Sequence, residues 1–175
     1  TPQGKEFKLL YQYKDQLPKK LFLTEYNPPK TNGSGFIRKE LSIANNLLKE
    51  AGWEIRNGIL TNKENNKTFK FEILLVSPAF ERIVLPFKDN LKKLGIEVTV
   101  RTVDSSQYQQ RLETFDFDMI VSSFRQSLSP GNEQRDFWGS DAANTIGSRN
   151  LIGVENSIVD ILIEKIISSE NREEL

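Results

Sequence analysis

The chain has 175 residues, 37% hydrophobic and 27% charged, a composition that suits one globular domain with a core, or one domain plus an extension. Its 24 basic and 24 acidic residues cancel, so it lacks the net basic face that wrapping nucleic acid requires. It contains no cysteine and no histidine, which excludes disulfides, thiolate nucleophiles, Cys/His zinc sites and histidine general bases; no cofactor or metal is implied.

Residues 1–36 carry weak periodicity and the breakers Pro18, Pro28, Pro29, Gly33 and Gly35, and read as a connecting segment with a short helix or strand near Phe7–Tyr13. From Arg38 to Ala51 the residues Leu41, Ala44, Leu48 and Ala51 recur at helical spacing. Gly52 then stands where a left-handed cap closes a helix, with Trp53 as its hydrophobic contact. Residues 54–67 suggest a turn or hairpin with a short strand at Ile59–Leu60.

Phe69–Val76 is a β-rich run, alternating at its start and wholly apolar at its end. Ser77-Pro78 opens a helix, whose face is Phe80, Ile83, Val84, Phe87, Leu91 and Leu94 and which Gly95 ends. Pro86 lies inside it and should kink it. Ile96–Val103 is a second strand, Asp104 with Gln107 resembles a capping box for a helix through Leu112, and Phe117–Phe124 is a third strand. The pattern is β-α-β-α-β, an α/β class with a parallel or mixed sheet and flanking helices. If the chain reverses direction across the sheet, the first strand sits in the middle with the other two flanking it, and the ligand crevice lies outside the carboxyl ends of the strands, at Ser77–Phe80 and whatever follows Phe124.

Residues 125–155 are rich in Ser, Asn and Gly, and connections longer than roughly 12–15 residues are usually functional or disordered. Phe137 and Trp138 argue for order, with a short helix around Asn132–Phe137. A final helix starts near Ser157 with Ile158, Ile161, Leu162 and Ile166. On the loop, Ser127, Ser129, Asn132, Glu133, Gln134 and Arg135 form either a polar wall for a ligand's amides or a loop that satisfies itself. Arg125, directly after the strand, is either a bidentate grip for a carboxylate or an ordinary surface charge. Phe124 and Trp138 stack on a ligand or pack in the core. Asp116 and Asp118 pair as acid–base or cation ligands, or else order a turn.

Several segments together resemble the peptide, dipeptide and nickel class of extracellular solute-binding proteins of ABC importers. They are Leu47-Leu48-Lys49-Glu50-Ala51-Gly52-Trp53, the join Asn90–Val98, and Phe115-Asp116-Phe117-Asp118-Met119 before an apolar strand. Phe80–Ile83, Arg101–Asp104, Gln107–Gln109 and Ser127–Ser140 look like the oligopeptide and microcin C branch. The resemblance, from about Leu21 to Leu175, implies one lobe of a two-lobed periplasmic binding protein that captures a peptide or peptide-like antibiotic and delivers it to ABC transporter permease subunits. Residues 37–155 would be the α/β carboxyl-terminal lobe and 156–175 a helix leading back toward an amino-terminal lobe missing from this chain. Where oligopeptide binders hold the peptide's amino terminus with an aspartate, this chain has Ser127, which puts recognition of a free α-amine in doubt. The expected ligand contacts are Phe124, Arg125, Gln126 and Ser127, with Asn132, Gln134 and Arg135. Two other functions stay open from the residues themselves, a small α/β hydrolase and a free-standing α/β interaction module.

Overall fold

A computed structural model describes all 175 residues. In chain order the elements are α1 (Gly4–Tyr11), α2 (Lys20–Leu23), α3 (Arg38–Glu50), β1 (Trp53–Arg56), β2 (Ile59–Asn62) and β3 (Lys70–Leu75). Then come α4 (Glu81–Lys92), β4 (Glu97–Thr102), α5 (Ser105–Glu113), β5 (Met119–Ile120), α6 (Glu133–Trp138), α7 (Ser140–Ala143) and α8 (Ser157–Ile167). They form two compact units: Thr31–Arg125, the sheet unit, and Thr1–Lys30 with Gln126–Leu175, the loop unit. No helix is long and apolar enough to cross a membrane.

In the sheet unit, α3 turns Leu41, Ala44 and Leu48 onto the core, as its periodicity predicts. Gly52 ends it at φ 86°, a conformation that costs a glycine nothing. Trp53 follows and packs on Phe69 with ring centroids 4.8 Å apart. β1 and β2 pair antiparallel, from Trp53 opposite Asn62 to Arg56 opposite Ile59. Asn57 and Gly58 make the turn at φ 51° and 82°, which is the two-residue geometry that an Asn-Gly pair favours.

The main sheet has the order β4-β3-β5 and is parallel throughout, so the first strand sits in the middle as expected. Ser77 caps the turn of 3₁₀ helix at Pro78–Phe80, its hydroxyl accepting from Ala79 N at 3.2 Å, and α4 follows. α4 runs through Pro86 to Lys92, although proline has no N–H to give its carbonyl partner one turn back. Asp104 caps α5, accepting from Ser106 N and Gln107 N at 2.9 and 3.0 Å. Leu60, Ile73, Leu75, Val84, Leu94, Ile96 and Val98 form the buried core, each worth about 1.5–3 kcal/mol of transfer free energy.

The third strand is much shorter than its sequence predicts: only Met119 and Ile120 pair, with Ile73 and Leu74. On the amino side, the Asp118 carboxylate accepts from Glu72 N at 2.8 Å, so a side chain takes the place of ladder backbone. On the other side β3 ends at Leu75 and its chain turns away through Ser77, so the third strand stops at Ile120. Strand propensity needs a neighbour to become a strand.

A carboxylate network pins α5 and this turn to the sheet. Glu72 accepts from Arg111 Nη1 and Arg101 Nε, both at 2.7 Å. Arg111 Nε also reaches Asp116, at 2.8 Å to its carbonyl and 2.9 Å to its carboxylate. Burial pushes the Glu72 carboxyl up, but the hydrogen bonds and charges of the two arginines outweigh it and hold the group below its ordinary value.

The loop unit is built differently. Phe7, Tyr11 and Phe22 of α1 and α2 cluster with centroids 5.1 to 6.0 Å apart. Around α6, α7 and α8 the buried apolar residues are Phe137, Ala142, Ile158 and Ile163, joined by the buried polar residues Gln134, Ser148 and Asn150. Asn150 is fully buried; its amide donates to Gly139 O at 3.0 Å and Val154 O at 2.8 Å, and its oxygen accepts from Val154 N at 2.8 Å. Ser140 donates through N and Oγ to Asp160 at 2.8 and 2.6 Å, and Asn156 N donates to the same hydroxyl at 3.0 Å. Asn156 in turn caps α8, accepting from Ile158 N at 2.9 Å.

Candidate ligand-binding site

The carboxyl ends of the parallel strands lead into Ser77, Asp104 and residues 121–125, and the first two polar groups are consumed as helix caps. Tyr108 on α5 holds the exit of β5, its hydroxyl donating to Val121 O at 3.2 Å. Burial raises that phenol's pKa, so it stays a donor. Phe124 is half-buried and Arg125 exposed at the end of the sheet unit. Arg56, Arg101 and Arg111 in the same unit each hold a carboxylate, whereas Arg125 forms no ion pair.

In the loop unit, Gln126 and Ser127 are exposed. Ser127 Oγ accepts from Ser129 N at 3.1 Å, which bends the chain locally while leaving the hydroxyl proton to donate. Gln134, 6% exposed, gives its amide to Gln126 Oε1 at 2.6 Å and to Glu133 Oε1 at 3.2 Å. Glu133 also accepts from Gly131 N at 2.8 Å, and that backbone hydrogen bond leads the effects that hold its pKa below the ordinary value. Arg135 forks onto Glu164, Nε to Oε1 at 2.7 Å and Nη2 to Oε2 at 2.6 Å, and reaches Asn132 Oδ1 at 2.5 Å. The pair shifts both groups toward their charged forms, Glu164 down and Arg135 up.

The structure therefore brings Gln126 to Gln134 and Asn132 to Arg135, and it spends most of their donors within the loop. Arg135 also lines a cavity of about 400 Å³ with Gly139, Ser140, Asp141, Asp160, Ile161, Ile163 and Glu164. Asp116 and Asp118, on either side of Phe117 in the sequence, go to Arg111 and to Glu72 N respectively and order the turn before β5. Reading the sequence missed Asn150, Ser140 and Asp160, which shape the loop. Their only advance signal is the Ser/Asn/Gly richness of residues 125–155, which names the region and not the pairs.

Residues 10–145 match the family described as bacterial extracellular solute-binding proteins, family 5 Middle. The chain is 48% identical over 174 residues to protein y4wM of Sinorhizobium fredii, covering 99% of this chain and 26% of that protein. It is 44% identical over 173 residues to the probable peptide-binding protein YejA of Agrobacterium fabrum, covering 99% and 28%. The chain thus spans about a quarter of the length of these relatives. Its fold is similar to that of the oligopeptide-binding protein AppA of Bacillus subtilis, solved with a nonapeptide, at a TM-score of 0.64 and 24% identity over 96% of this chain and 34% of that one. This chain belongs to the bacterial extracellular solute-binding proteins of family 5.

Proposed function

We propose that the chain is part of the ligand-binding lobe of a periplasmic protein that captures a peptide, or a peptide-like antibiotic of the microcin C kind, and delivers it to the permease subunits of an ABC transporter. The observation that carries this reading is the run Phe124–Ser127 after β5. It follows the carboxyl end of a parallel strand, where ligands of open α/β sheets bind, and it leaves an arginine without an ion pair and a hydroxyl free to donate. Arg125 grips a ligand carboxylate, Phe124 packs against ligand, and Gln126 and Ser127 meet peptide amides. Asn132, Gln134 and Arg135 add polar contacts to the ligand from the loop that follows. The 44% identity to a probable peptide-binding protein supports the same ligand class. The cleft is completed by polypeptide outside these residues, in keeping with relatives about four times as long.

Titration calorimetry of the whole gene product against a peptide mixture, then against single peptides, tests this. Arg125→Ala should weaken binding about tenfold or more, the loss of a charge-assisted hydrogen bond. The 175-residue chain alone should bind far more weakly than the whole protein. Micromolar affinity in the isolated chain would remove the need for a further lobe, and no peptide binding by the whole protein would overturn the reading. Turnover of an ester or peptide that disappears in Ser127→Ala or Ser129→Ala would instead favour a hydrolase.

A further inference from the structure

At the amino ends of the parallel strands, away from the edge that carries Ser77 and Arg125, the sheet unit has a groove of about 470 Å³. The hairpin tip at Gly58 and Ile59 lines one side, the last turns of α4 the other, and the nearly buried Ile96 and Val98, 6% and 8% exposed, form the apolar floor. Backbone contacts fix this geometry. Leu60 N donates to Gly95 O at 2.7 Å, and a Cβ on Gly95 would lie 2.8 Å from Leu60 N.

Three lysines line the groove: Lys70, the first residue of β3, and Lys88 and Lys92, one turn apart on α4. One acid, Glu97, lines it with them. None of the three lysines forms an ion pair, whereas the arginines of the same unit that hold carboxylates do so at 2.5 to 2.9 Å. Lys88 is half-buried, a pattern in which the stem packs and the ammonium stays at the surface. The helix dipole favours cations near the carboxyl end of α4 and accounts for Lys88 and Lys92 individually. It does not account for Lys70, which comes to the same groove from a strand.

We propose that this groove is a docking site for an acidic segment of a partner polypeptide. Cations spread along apolar surface suit a chain whose carboxylates alternate with apolar side chains. A compact anion such as phosphate calls instead for converging donors or an arginine fork. A bilayer surface is flat and meets a concave groove poorly.

The test uses the whole gene product and a short fluorescent peptide of alternating glutamate and leucine, followed by anisotropy. Saturable binding is expected, falling about tenfold when Lys70, Lys88 and Lys92 are all changed to Gln, and weakening steeply as salt rises from about 0.05 to about 0.5 M. Circular dichroism checks that the triple variant keeps the fold. The proposal fails if the peptide does not bind saturably, or if the triple variant binds it equally well. It fails too if Arg125→Ala alone abolishes binding, which would put the peptide at the other edge. Pyrophosphate or phosphatidylglycerol vesicles binding in a lysine-dependent way where the peptide does not would overturn it in favour of a small anion or a lipid surface.

Discussion

The sheet unit and the loop unit are held by different physics. The sheet unit has a continuous apolar core drawn from β2, β3 and β4 and backed by α3 and α4, in which Leu60, Ile73 and Leu75 are each 1% exposed. The α6–α8 part of the loop unit buries few apolar side chains and instead threads Asn150, Ser140, Asp160 and Asn156 through its turns as hydrogen-bonding pins. An apolar core is non-directional and tolerates changes that keep volume. A polar pin is directional, and losing one member orphans its buried partners. A long connection without a sheet of its own takes its shape here by the second means.

The two tryptophans, Trp53 in the sheet unit and Trp138 in the loop unit, let each unit report separately. Trp53→Phe leaves the loop reporter and Trp138→Phe leaves the sheet reporter, so denaturant melts can be read one unit at a time. The largest effect should come from Asn150→Leu, which fills the space but leaves Gly139 O, Val154 O and Val154 N unpaired. At about 1–3 kcal/mol for each orphaned group, with partial relaxation, a loss of about 4 kcal/mol is expected in the Trp138 transition. If Asn150→Leu proves neutral, the contrast between the units is wrong.

Ile73→Ala should come next, costing about 3 kcal/mol in the Trp53 transition through lost transfer energy and a cavity on the central strand. Ile73→Val should recover most of it. Glu72→Gln follows at about 1–2 kcal/mol, a value discounted because solvent still reaches the pair: the Glu72 side chain is 18% exposed.

The same carboxyl gives a pH test. Its pKa is lower folded than unfolded, so its contribution is complete above the unfolded value near pH ~4.3 and is lost as pH falls through the folded value. The sheet transition should weaken on acidification below about pH 4.3, and Glu72→Gln should flatten that dependence. The smallest effect belongs to Arg135→Ala, whose partner Glu164 is exposed at the surface; no shift beyond error is expected in the Trp138 transition. A large loss there would show that the bidentate pair organises the loop rather than decorating it.

Local chemistry wrote much of the sheet unit. The boundaries of α3, α4 and α5 follow from Gly52, Ser77-Pro78, Gly95 and Asp104, because a cap is decided within a few residues of chain. The hairpin was legible only in part: Asn57-Gly58 was the available signal for both its strands, and the expectation stopped at Ile59–Leu60. The site was less legible. Arg125 and Ser127 stand as candidates through the sheet order alone, which puts them beyond the third strand. The engagement of Gln134 with Gln126 and of Arg135 with Glu164 could not be read in that way, since residue 164 lies 29 positions away on another helix.

The sequence by itself determined a β-α-β-α-β order, because periodicity and caps act locally, and its motifs carried the resemblance to a solute-binding family. Only the tertiary structure decided that the third strand shrinks to Met119–Ile120, that Asp118 replaces ladder backbone at Glu72, and that Asn150 becomes the buried pin of the loop unit. Each of those depends on which distant group arrives within hydrogen-bonding reach. An unpaired strand and a buried amide are stable only once that partner is in place.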